Sequence, residues 1–554
     1  MNEILLEYQR PEPTTWVYLS SFLTLGLFFV FHRMWSLRNL DVVLLILLAP
    51  GLLMVQTGRR DAIDSQLKNR QAAVMTQPDV RVPSDPETPR DPETQPDAET
   101  LPPPPQESLS AANNAATGAT NKDAVARGET AQQSVAADPQ TPNTSTGNLS
   151  VDPTRDDGAP IGQALSGEVI AAANALDDDS GTGWKEARQA ADNRARRRFG
   201  FLWLFGVQAL ILVRLLIDPM LVRRPMLDPN LTSGGLIFIG LALFIFLMAN
   251  VVTSTPRLQA EQGPQLGPGY PLMNKVPSLP TRSGRGLGRP DTNAVPESAQ
   301  TVIARVLVIA AHMAVLAGIV LIGYRHFHNT RAGIGCATLY LLLPYTAQTT
   351  GRVDHVVPAA MLVWAILMYR KPLASGIFLG LAGGLLYYPL FLLPLWISFY
   401  WKRGLGPFLG GVGGTLVVLM GLLLADGRQT FFEHLQQMYG LWFPLVDDLD
   451  GFWALDVYAQ WRLPLLVVFG LLAGFFAVWP KQKNLGTLIC CTAALMVACQ
   501  FWHGFGGGLY IAWFLPLLLL TIYRPNLEDR VALKVISGPR GEVKLKVKRE
   551  NEAA

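Results

Sequence analysis

Charged residues are scarce in this chain of 554 residues, at 16% of the total, whereas 49% of the residues are hydrophobic. Several apolar runs reach the twenty or so residues that a membrane-spanning helix needs, so an ordinary soluble domain is excluded for most of the chain. The formal net charge is only +3 and is dispersed along the sequence, which argues against a nucleic-acid partner. The composition therefore predicts an integral membrane protein in contact with membrane lipid.

Cysteine and the motifs of soluble enzymes are also nearly missing. The four cysteines, at 336, 490, 491 and 499, all lie in apolar runs. No CxxC or Cys/His spacing accompanies them, which indicates small buried side chains and no metal site. The sequence contains no Walker loop, GxSxG, HExxH or dinucleotide fingerprint. Nothing in it therefore favours the chemistry of the common soluble enzymes.

Apolar segments dominate what remains and predict an all-α, polytopic fold with about 13 membrane helices. The segments lie near 14–32, 39–56, 199–221, 233–253, 302–323, 330–347, 354–369, 373–387, 389–401, 406–425, 462–479, 485–501 and 508–523. Short basic loops such as YRHFHNTR, YRKP and WKRG alternate with longer neutral or acidic loops. Because Lys and Arg in short loops stay in the cytoplasm, this alternation predicts an N-terminus outside and a C-terminus inside.

The stretch 369–404, YRKPLASGIFLGLAGGLLYYPLFLLPLWISFYWKRG, carries a basic clamp at each end. A single helix of about 30 residues would be about 45 Å long, well beyond a hydrocarbon core of about 30 Å. It would also place one basic clamp on each side of the membrane. Pro389 disfavours helix at Tyr388, so the sequence predicts a short helical pair that turns at Tyr387-Tyr388-Pro389 and returns.

Composition divides the chain into six parts. They are a two-span hairpin at 1–56, a low-complexity and mostly disordered insert at 57–198, a second two-span hairpin at 199–253, a Gly/Pro-rich loop at 254–300, a polytopic block at 301–524 and a basic tail at 525–554. The insert is poor in aromatic residues, so it cannot bury enough apolar surface to offset its ordering entropy. Basic residues at both of its ends oppose export, but the parity of the later segments places the insert outside.

Two stretches of the polytopic block carry a family resemblance. RVDHVVPAAMLVWAILMYRKPLASGIFLGLAGGLLYYPLFLLPLW and FWHGFGGGLYIAWFLPLLLL resemble segments of bacterial GT-C membrane glycosyltransferases of the mannosyltransferase-like branch. In that family a polar loop precedes a span, a basic-Pro turn and a small-residue helix with a Pro-containing return helix. The resemblance covers about 301–524. It implies an enzyme of the bacterial inner membrane that takes a sugar from a polyprenyl-phosphate donor on the exoplasmic side, with a loop carboxylate as general base.

Sugar transfer of this kind needs a carboxylate near the acceptor hydroxyl and cations near the departing phosphate. The resemblance places the base in a first exoplasmic loop, where Asp61 follows the second predicted span. The alternative for Asp61 is a solvated face of a juxtamembrane helix.

The loop TAQTTGRVDHVV, between the sixth and seventh predicted segments, holds four candidate residues. They are Gln348, Arg352, Asp354 and His355. Burying such groups singly is costly, so Arg352 is predicted to hold a phosphate while Asp354 or His355 moves a proton. The alternative is an interfacial ion pair that caps the next helix, with Asp354 at its favourable N-terminal end.

Further candidates for substrate binding come from the later turns. His503 and Tyr510 flank a glycine-rich loop, where glycines let a ligand approach closely. Many relatives place Lys beside Pro in the turn of the helical pair, whereas this chain has Tyr387 and Tyr388. Tyrosine hydroxyls bind phosphate oxygens without bringing charge. Either Arg352 supplies the cation, or the chain keeps the scaffold without the chemistry.

No cofactor is predicted, although a divalent cation could bind an acidic stretch in the loop after 425. Asp447, Asp448 and Asp450 supply the oxygens that such a cation prefers. The stretch lacks a glycine-pivoted ligand loop, so a solvated acidic turn is the alternative.

Two functions from different classes follow from the sequence. One is a membrane glycosyltransferase that uses a polyprenyl-phosphate-linked sugar. The other is a non-catalytic polytopic protein, either a transporter or a cell-envelope scaffold. A transporter should show corresponding broken helices in its two halves, and the sequence has one broken pair, at 373–401. This favours the glycosyltransferase.

Overall fold

The computed structural model describes residues 13–76, 183–221, 227–254, 271–274, 279, 299–424, 449–455, 459–481 and 483–525. The described residues within 13–73 and 183–525 belong to one compact unit. Its described residues form helices and contain no β-strand, apart from an isolated bridge between Asp450 and Phe505. The all-α fold is therefore confirmed for the part of the chain that the structure describes.

The described chain contains fifteen α-helices, some of them joined by single 3-10 or π turns. They are α1 (Pro13–Phe28), α2 (Leu37–Thr76), α3 (Gly183–Ile217), α4 (Ser233–Val252), α5 (Pro271–Asn274), α6 (Ala299–Ile322), α7 (Thr330–Leu342), α8 (Pro344–Gln348), α9 (Val353–Leu367), α10 (Pro372–Leu385), α11 (Leu393–Tyr400), α12 (Leu405–Leu424), α13 (Arg462–Val478), α14 (Leu485–Trp502) and α15 (Leu515–Tyr523).

The chain is an integral membrane protein. Seven described helical stretches are long and apolar enough to cross a bilayer. They are Leu37–Arg59, Ala187–Met220, Ser233–Val252, Ala299–Phe327, Leu405–Leu423, Ala459–Val478 and Leu485–Trp502. Helices also occupy the other predicted segments, but these are shorter, as in α9 and α10. A count of thirteen membrane helices is therefore not confirmed.

Helix α14 lies at the centre of the packed helices. Of its apolar window 94% is buried, compared with 22% for the windows of α12 and α13. Its sequence LGTLICCTAALMVACQFW is rich in small residues, which let neighbouring helices approach closely in a membrane protein. The exposed faces of α12 and α13 are lined by Val and Leu side chains, as expected of surfaces that contact lipid.

The stretch 369–404 forms a pair of helices joined by a turn that reverses the chain direction. Helix α10 ends at Leu385, and a 3-10 turn that contains Pro389 begins at Tyr388. The hydroxyl of Tyr400, at the end of α11, donates a hydrogen bond of 2.7 Å to the carbonyl of Tyr369. The two ends of the stretch therefore meet, and the predicted return turn is confirmed.

The basic loops meet at one end of the unit, which we call the basic end. A ring nitrogen of His326 lies 2.9 Å from the Leu367 carbonyl, which joins the loop after α6 to the loop after α9. The Ser398 hydroxyl donates a 2.5 Å bond to the Ala477 carbonyl, which joins the ends of α11 and α13. These contacts place basic loops from four helices on the same side, as the alternation of loops predicts.

A buried ion network also ties distant segments together at the basic end. Arg214 of α3 donates bonds of 2.9 and 3.1 Å to the carboxylate of Asp41 on α2, and one of 2.9 Å to Asp218. Arg524, just after α15, donates a 2.5 Å bond to the other oxygen of Asp218. Each charge has an opposite partner, which burial of ions demands. The N-terminal and C-terminal spans therefore form one packed body.

The predicted disordered insert, 57–198, is helical at both described ends. Helix α2 continues to Thr76, and α3 starts at Gly183. The two extensions pack closely, because a Cβ atom added at Gly58 would lie 2.7 Å from Cγ of Arg197. Helix therefore extends past position 57 on one side and begins before position 198 on the other. The predicted disorder of 77–182 lies outside the described residues.

Candidate functional site

Opposite the basic end, six of the predicted site residues converge on one buried group, which we call the polar cluster. Its members are Arg352, Asp354, His355, Tyr388, His503 and Tyr510, and Trp513 packs among them. They come from the start of α9, the turn after α10 and the loop between α14 and α15. Each side chain named here is at most 9% exposed as a residue. Charged groups this deep in an apolar protein make the polar cluster the candidate functional site.

The start of α9 positions the charged pair. Arg352 is the N-cap residue, and Asp354 lies in the first turn, where the helix dipole favours a carboxylate. The guanidinium donates two bonds to that carboxylate, of 2.8 Å from Nε and 2.5 Å from a terminal nitrogen. The ion pair that the sequence offered as the structural alternative is therefore present. The indole of Trp513 donates a 2.9 Å bond to the Asp354 carbonyl and fixes this turn.

His355 links the charged pair to a tyrosine. Its Nδ1 is hydrogen-bonded to the hydroxyl of Tyr345, and its Nε2 lies 3.8 Å from Oδ2 of Asp354. The ring lies on Tyr510, with centroids 4.6 Å apart. Tyr345 belongs to the short helix α8, which Pro344 begins. Carboxylate, imidazole and phenol thus follow one another in a row.

Aromatic rings form the rest of the cluster. His503 stacks on Tyr388 with centroids 4.7 Å apart and lies 4.8 Å from Tyr510. Tyr387 stacks on Tyr388 at 4.2 Å, so both tyrosines of the predicted turn reach this region. Aromatic faces attract cations.

Two buried polar atoms in the cluster have no hydrogen-bond partner among the described residues. They are Nε2 of His503 and the hydroxyl oxygen of Tyr510. The Phe505 amide donates a 3.0 Å bond to Nδ1 of His503, so Nε2 carries the proton of the neutral ring. Burial, with the nearby charges of Arg462 and His355, lowers the pKa of His503 to about 3. His503 therefore offers a neutral N–H donor to a ligand.

The glycine loop that carries these atoms is held from several sides. Gln500 accepts bonds of 3.2 Å from the amides of Gly508 and Tyr510. Gly508 has a φ of +87°, a conformation that L side chains rarely adopt. Asp450 also binds the loop, because its amide donates to the Gly504 carbonyl at 3.1 Å. The loop is therefore shaped by its glycines and clamped in place.

Sequence reasoning missed three residues at this end: Arg59, Arg462 and Tyr345. Arg59 lies 3.6 Å from the carboxylate of Asp450, and its electrostatic neighbours include Arg352 and Tyr510. Arg462 donates a 3.1 Å bond to the Trp502 carbonyl and acts electrostatically on Tyr387 and Tyr388. The sequence shows each arginine only as a charge at the end of an apolar span, and the long-range neighbours of these residues are not readable from it.

Two predicted residues lie apart from these contacts. Asp61 bonds Arg196 at 3.4 Å, and 39% of its side chain is exposed. It follows Arg59 by two residues on α2, and its described contact is with Arg196 and not with the polar cluster. Gln348 is buried at the end of α8.

An apolar crevice lies beside the cluster. Nine described residues line it, and Tyr345 is the one among them that carries a side-chain polar atom. They are Leu45, Leu48, Ala49, Leu52, Leu343, Pro344, Tyr345, Ile511 and Leu515. The crevice borders the tyrosine that bonds His355 and has a volume of about 10 Å³, room for about one water molecule.

No group of three or more potential metal-ligating side chains occurs among the described residues. Of the predicted acidic stretch, Asp447 and Asp448 lie outside the described residues, whereas Asp450 accepts a bond from the Gly451 amide and faces Arg59. The described residues therefore do not test whether a divalent cation binds this acidic stretch.

No family profile, curated protein or solved structure matches this chain. The resemblance to GT-C glycosyltransferases consequently depends on the quoted residues alone.

Proposed function

We propose that this chain is a membrane glycosyltransferase of the GT-C type, which transfers a sugar from a polyprenyl-phosphate donor on the exoplasmic face of a bacterial inner membrane. The polar cluster then lies at the exoplasmic edge, the N-terminus outside and the C-terminal tail inside. The observation that carries the proposal is the convergence of Arg352, Asp354, His355 and His503 in one buried group beside an apolar crevice.

Charge favours an anionic ligand. Three arginines, Arg59, Arg352 and Arg462, border the cluster, and the described carboxylates nearest to them are Asp354 and Asp450. An excess of cations in a low-dielectric site stabilises the charge that develops on a departing phosphate. Arg462, beside Tyr387 and Tyr388, supplies the positive charge that the tyrosine turn lacks.

Roles divide by chemistry. Arg352 binds the phosphate, and Asp354 orients its guanidinium through two charge-assisted hydrogen bonds. The neutral N–H of His503 donates to a sugar or phosphate oxygen. Asp354, Asp61 or His355 takes up the proton of the acceptor.

Sugar transfer by the purified protein tests these roles. The comparison is between wild type, Asp61→Asn, Asp354→Asn and Arg352→Ala, with kcat, KM and carrier binding measured separately. Removing the base lowers kcat about 10²–10⁴-fold with little change in carrier binding. Arg352→Ala weakens carrier binding and also slows turnover, because leaving-group charge grows in the transition state.

Two outcomes contradict the proposal at different levels. Activity that survives both Asp changes rejects the assignment of a carboxylate base. If wild type neither transfers nor hydrolyses any donor across a broad panel, the transporter or scaffold function takes its place.

A further inference from the structure

Five basic side chains gather at the basic end, and we call them the basic cluster. They come from the turns that follow α6, α9 and α11, and they are Arg325, Arg370, Lys371, Lys402 and Arg403. Four of them are exposed to solvent or lipid, and Arg403 is half-buried. The chemistry proposed above lies at the opposite end of the unit and uses none of them.

Contacts to Tyr369 bring the three turns together. The ring of His326, next to Arg325, lies edge-on to the ring of Tyr369, with centroids 4.8 Å apart. The Nε of Arg370 donates a 3.3 Å bond to the Tyr369 hydroxyl, and its guanidinium lies 5.7 Å from the centre of that ring. Tyr400, the last residue of α11, donates its 2.7 Å bond to the Tyr369 carbonyl. The basic cluster is therefore held together by the fold.

No described acidic side chain is paired with these charges. None of the ion pairs among the described residues includes a member of the basic cluster. Asp41 and Asp218 at this end are bonded to Arg214, and Asp228 lies 3.6 Å from Arg331. The tail at 525–554 is basic overall, so it does not supply the missing negative charge. Charge complementarity therefore favours an anion from outside the chain.

Exposed aromatic rings place the basic cluster at the edge of the membrane. Trp401, next to Lys402, is 64% exposed, and Tyr324, next to Arg325, is 61% exposed. Trp and Tyr collect where a bilayer meets water. Leu373, in the first turn of α10, is also exposed and adds aliphatic surface beside the charges. The basic side chains therefore lie at the depth of phospholipid headgroups.

We propose that the basic cluster binds the headgroup of an anionic phospholipid, whose acyl chains lie against the exposed aliphatic side of α10. The ligand chemistry is a phosphate ester, and the aromatic and aliphatic neighbours favour a lipid over a soluble ester. The positive-inside rule assigns this end to the cytoplasm, and basic pockets between membrane helices on that side bind anionic headgroups. The inference does not depend on the glycosyltransferase function.

Stabilisation by added lipid tests the proposal, because a ligand that binds the folded protein raises its unfolding midpoint. The purified full-length chain in neutral detergent is titrated with phosphatidylglycerol, with phosphatidylcholine of the same acyl chains, or with glycerol phosphate. We expect phosphatidylglycerol to raise the midpoint in a saturable way, and the other two to leave it nearly unchanged.

The other results of the titration contradict the proposal. Equal stabilisation by phosphatidylcholine would mean that acyl chains act without recognition of charge. Stabilisation by glycerol phosphate at the same concentrations would assign the basic cluster to a soluble phosphate ester and overturn the lipid. No stabilisation by phosphatidylglycerol would overturn the site itself.

Two triple variants with the same loss of charge locate the site. The first changes three exposed members of the basic cluster, by Arg370→Gln, Lys371→Gln and Lys402→Gln. The control changes three exposed arginines of α3 at the opposite end, by Arg188→Gln, Arg194→Gln and Arg198→Gln. Each cation near an anionic membrane is worth about fivefold in affinity. The first variant should therefore bind phosphatidylglycerol about 100-fold more weakly, while the control stays within a few-fold of wild type.

Equal weakening in both triple variants would assign the effect to net charge, and unchanged binding in the first would remove the basic cluster from lipid binding. Either result overturns the proposal. If the first variant does not fold, Lys402→Gln replaces it, with Arg198→Gln as its control. The expected loss for Lys402→Gln is then about fivefold in affinity for phosphatidylglycerol, and equal affinities of the two single variants would overturn the site.

Discussion

His503 is the residue whose state depends most clearly on its surroundings. Its ring is fully buried between Tyr388 and Tyr510, and its pKa falls from 6.5 to about 3. The folded protein therefore binds no proton here between those values, whereas the unfolded chain does. Stability from this group is complete above pH 6.5 and is lost as the pH falls toward 3. The neighbours that face it are Arg462, His355 and Asp354.

The first prediction is that the lowered pKa of His503 makes the protein less stable as the pH falls. Between pH 6.5 and 5, His503 should cost the wild type about 2 kcal/mol of unfolding free energy. His503→Gln removes this contribution, so the variant should lose less stability than wild type over the same range. Unfolding midpoints in detergent at both pH values measure it. Equal losses in the two proteins would show that His503 titrates near its ordinary pKa.

Single residues show how far the sequence could lead. Arg352, Asp354 and His355 were predictable as a group, because three ionisable residues in four positions between apolar runs must be hydrated, paired or functional. Tyr345 was not, since a tyrosine in an apolar run usually packs in a core. Its hydrogen bond with His355, ten residues away across the break between two helices, depends on the fold. Arg462 likewise looks like an ordinary charge at a span end.

Helix packing depends on glycines at specific places. Helices α10 and α12 approach so closely that a Cβ atom added at Gly376 would lie 2.2 Å from the Phe408 carbonyl. One added at Gly411 would lie 2.4 Å from the Leu373 carbonyl. Small residues permit this approach in a membrane, where dispersion and not water drives association. Gly413, on the other side of α12, has nothing within 4 Å.

Gly376 and Gly413 supply a matched pair of variants that tests the packing of α10 against α12. Gly376→Ala should separate α10 from α12 and destabilise the protein by about 1–3 kcal/mol. Gly413→Ala should be neutral or stabilising by about 1 kcal/mol, because alanine favours helix. Thermal unfolding of the two purified variants gives the comparison. Equal midpoints for both would mean that the α10–α12 contact is not tight.

The positions of the helices along the chain were largely predictable, whereas the number of helices long enough to cross the membrane was not. Each predicted apolar segment contains a helix, because hydropathy and proline breaks determine where helices form. Lengths such as the 13 residues of α7 or the 9 of α15 depend on how the chain packs, which hydropathy does not report. The helical extensions of α2 and α3 were missed because their partners are 135 residues apart in the chain, as Asp61 and Arg196 are.

At the scale of the whole molecule, the two ends differ in kind. Basic loops and the Arg214 network lie at one end, and the polar cluster lies at the other. The positive-inside rule assigns the basic end to the cytoplasm. The polar cluster is exoplasmic only if this predicted orientation is right, and thiol labelling can check the orientation.

The topology prediction uses three single cysteines. Thr100→Cys and Leu445→Cys should react with a membrane-impermeant thiol reagent in intact cells, while Pro372→Cys at the basic end should not. The four native cysteines are buried at 1% exposure or less, so they give little background. Labelling at 372 but not at 445 would reverse the orientation.

The central claim is that the polar cluster handles a polyprenyl-phosphate-linked sugar. The most direct measurement incubates purified wild type with a panel of labelled polyprenyl-phosphate sugars and lipid or soluble acceptors, and follows the label from carrier to product. We predict label transfer from at least one donor, reduced in Arg352→Ala. Complete retention of the label on every carrier, by a folded wild-type protein, would contradict the claim.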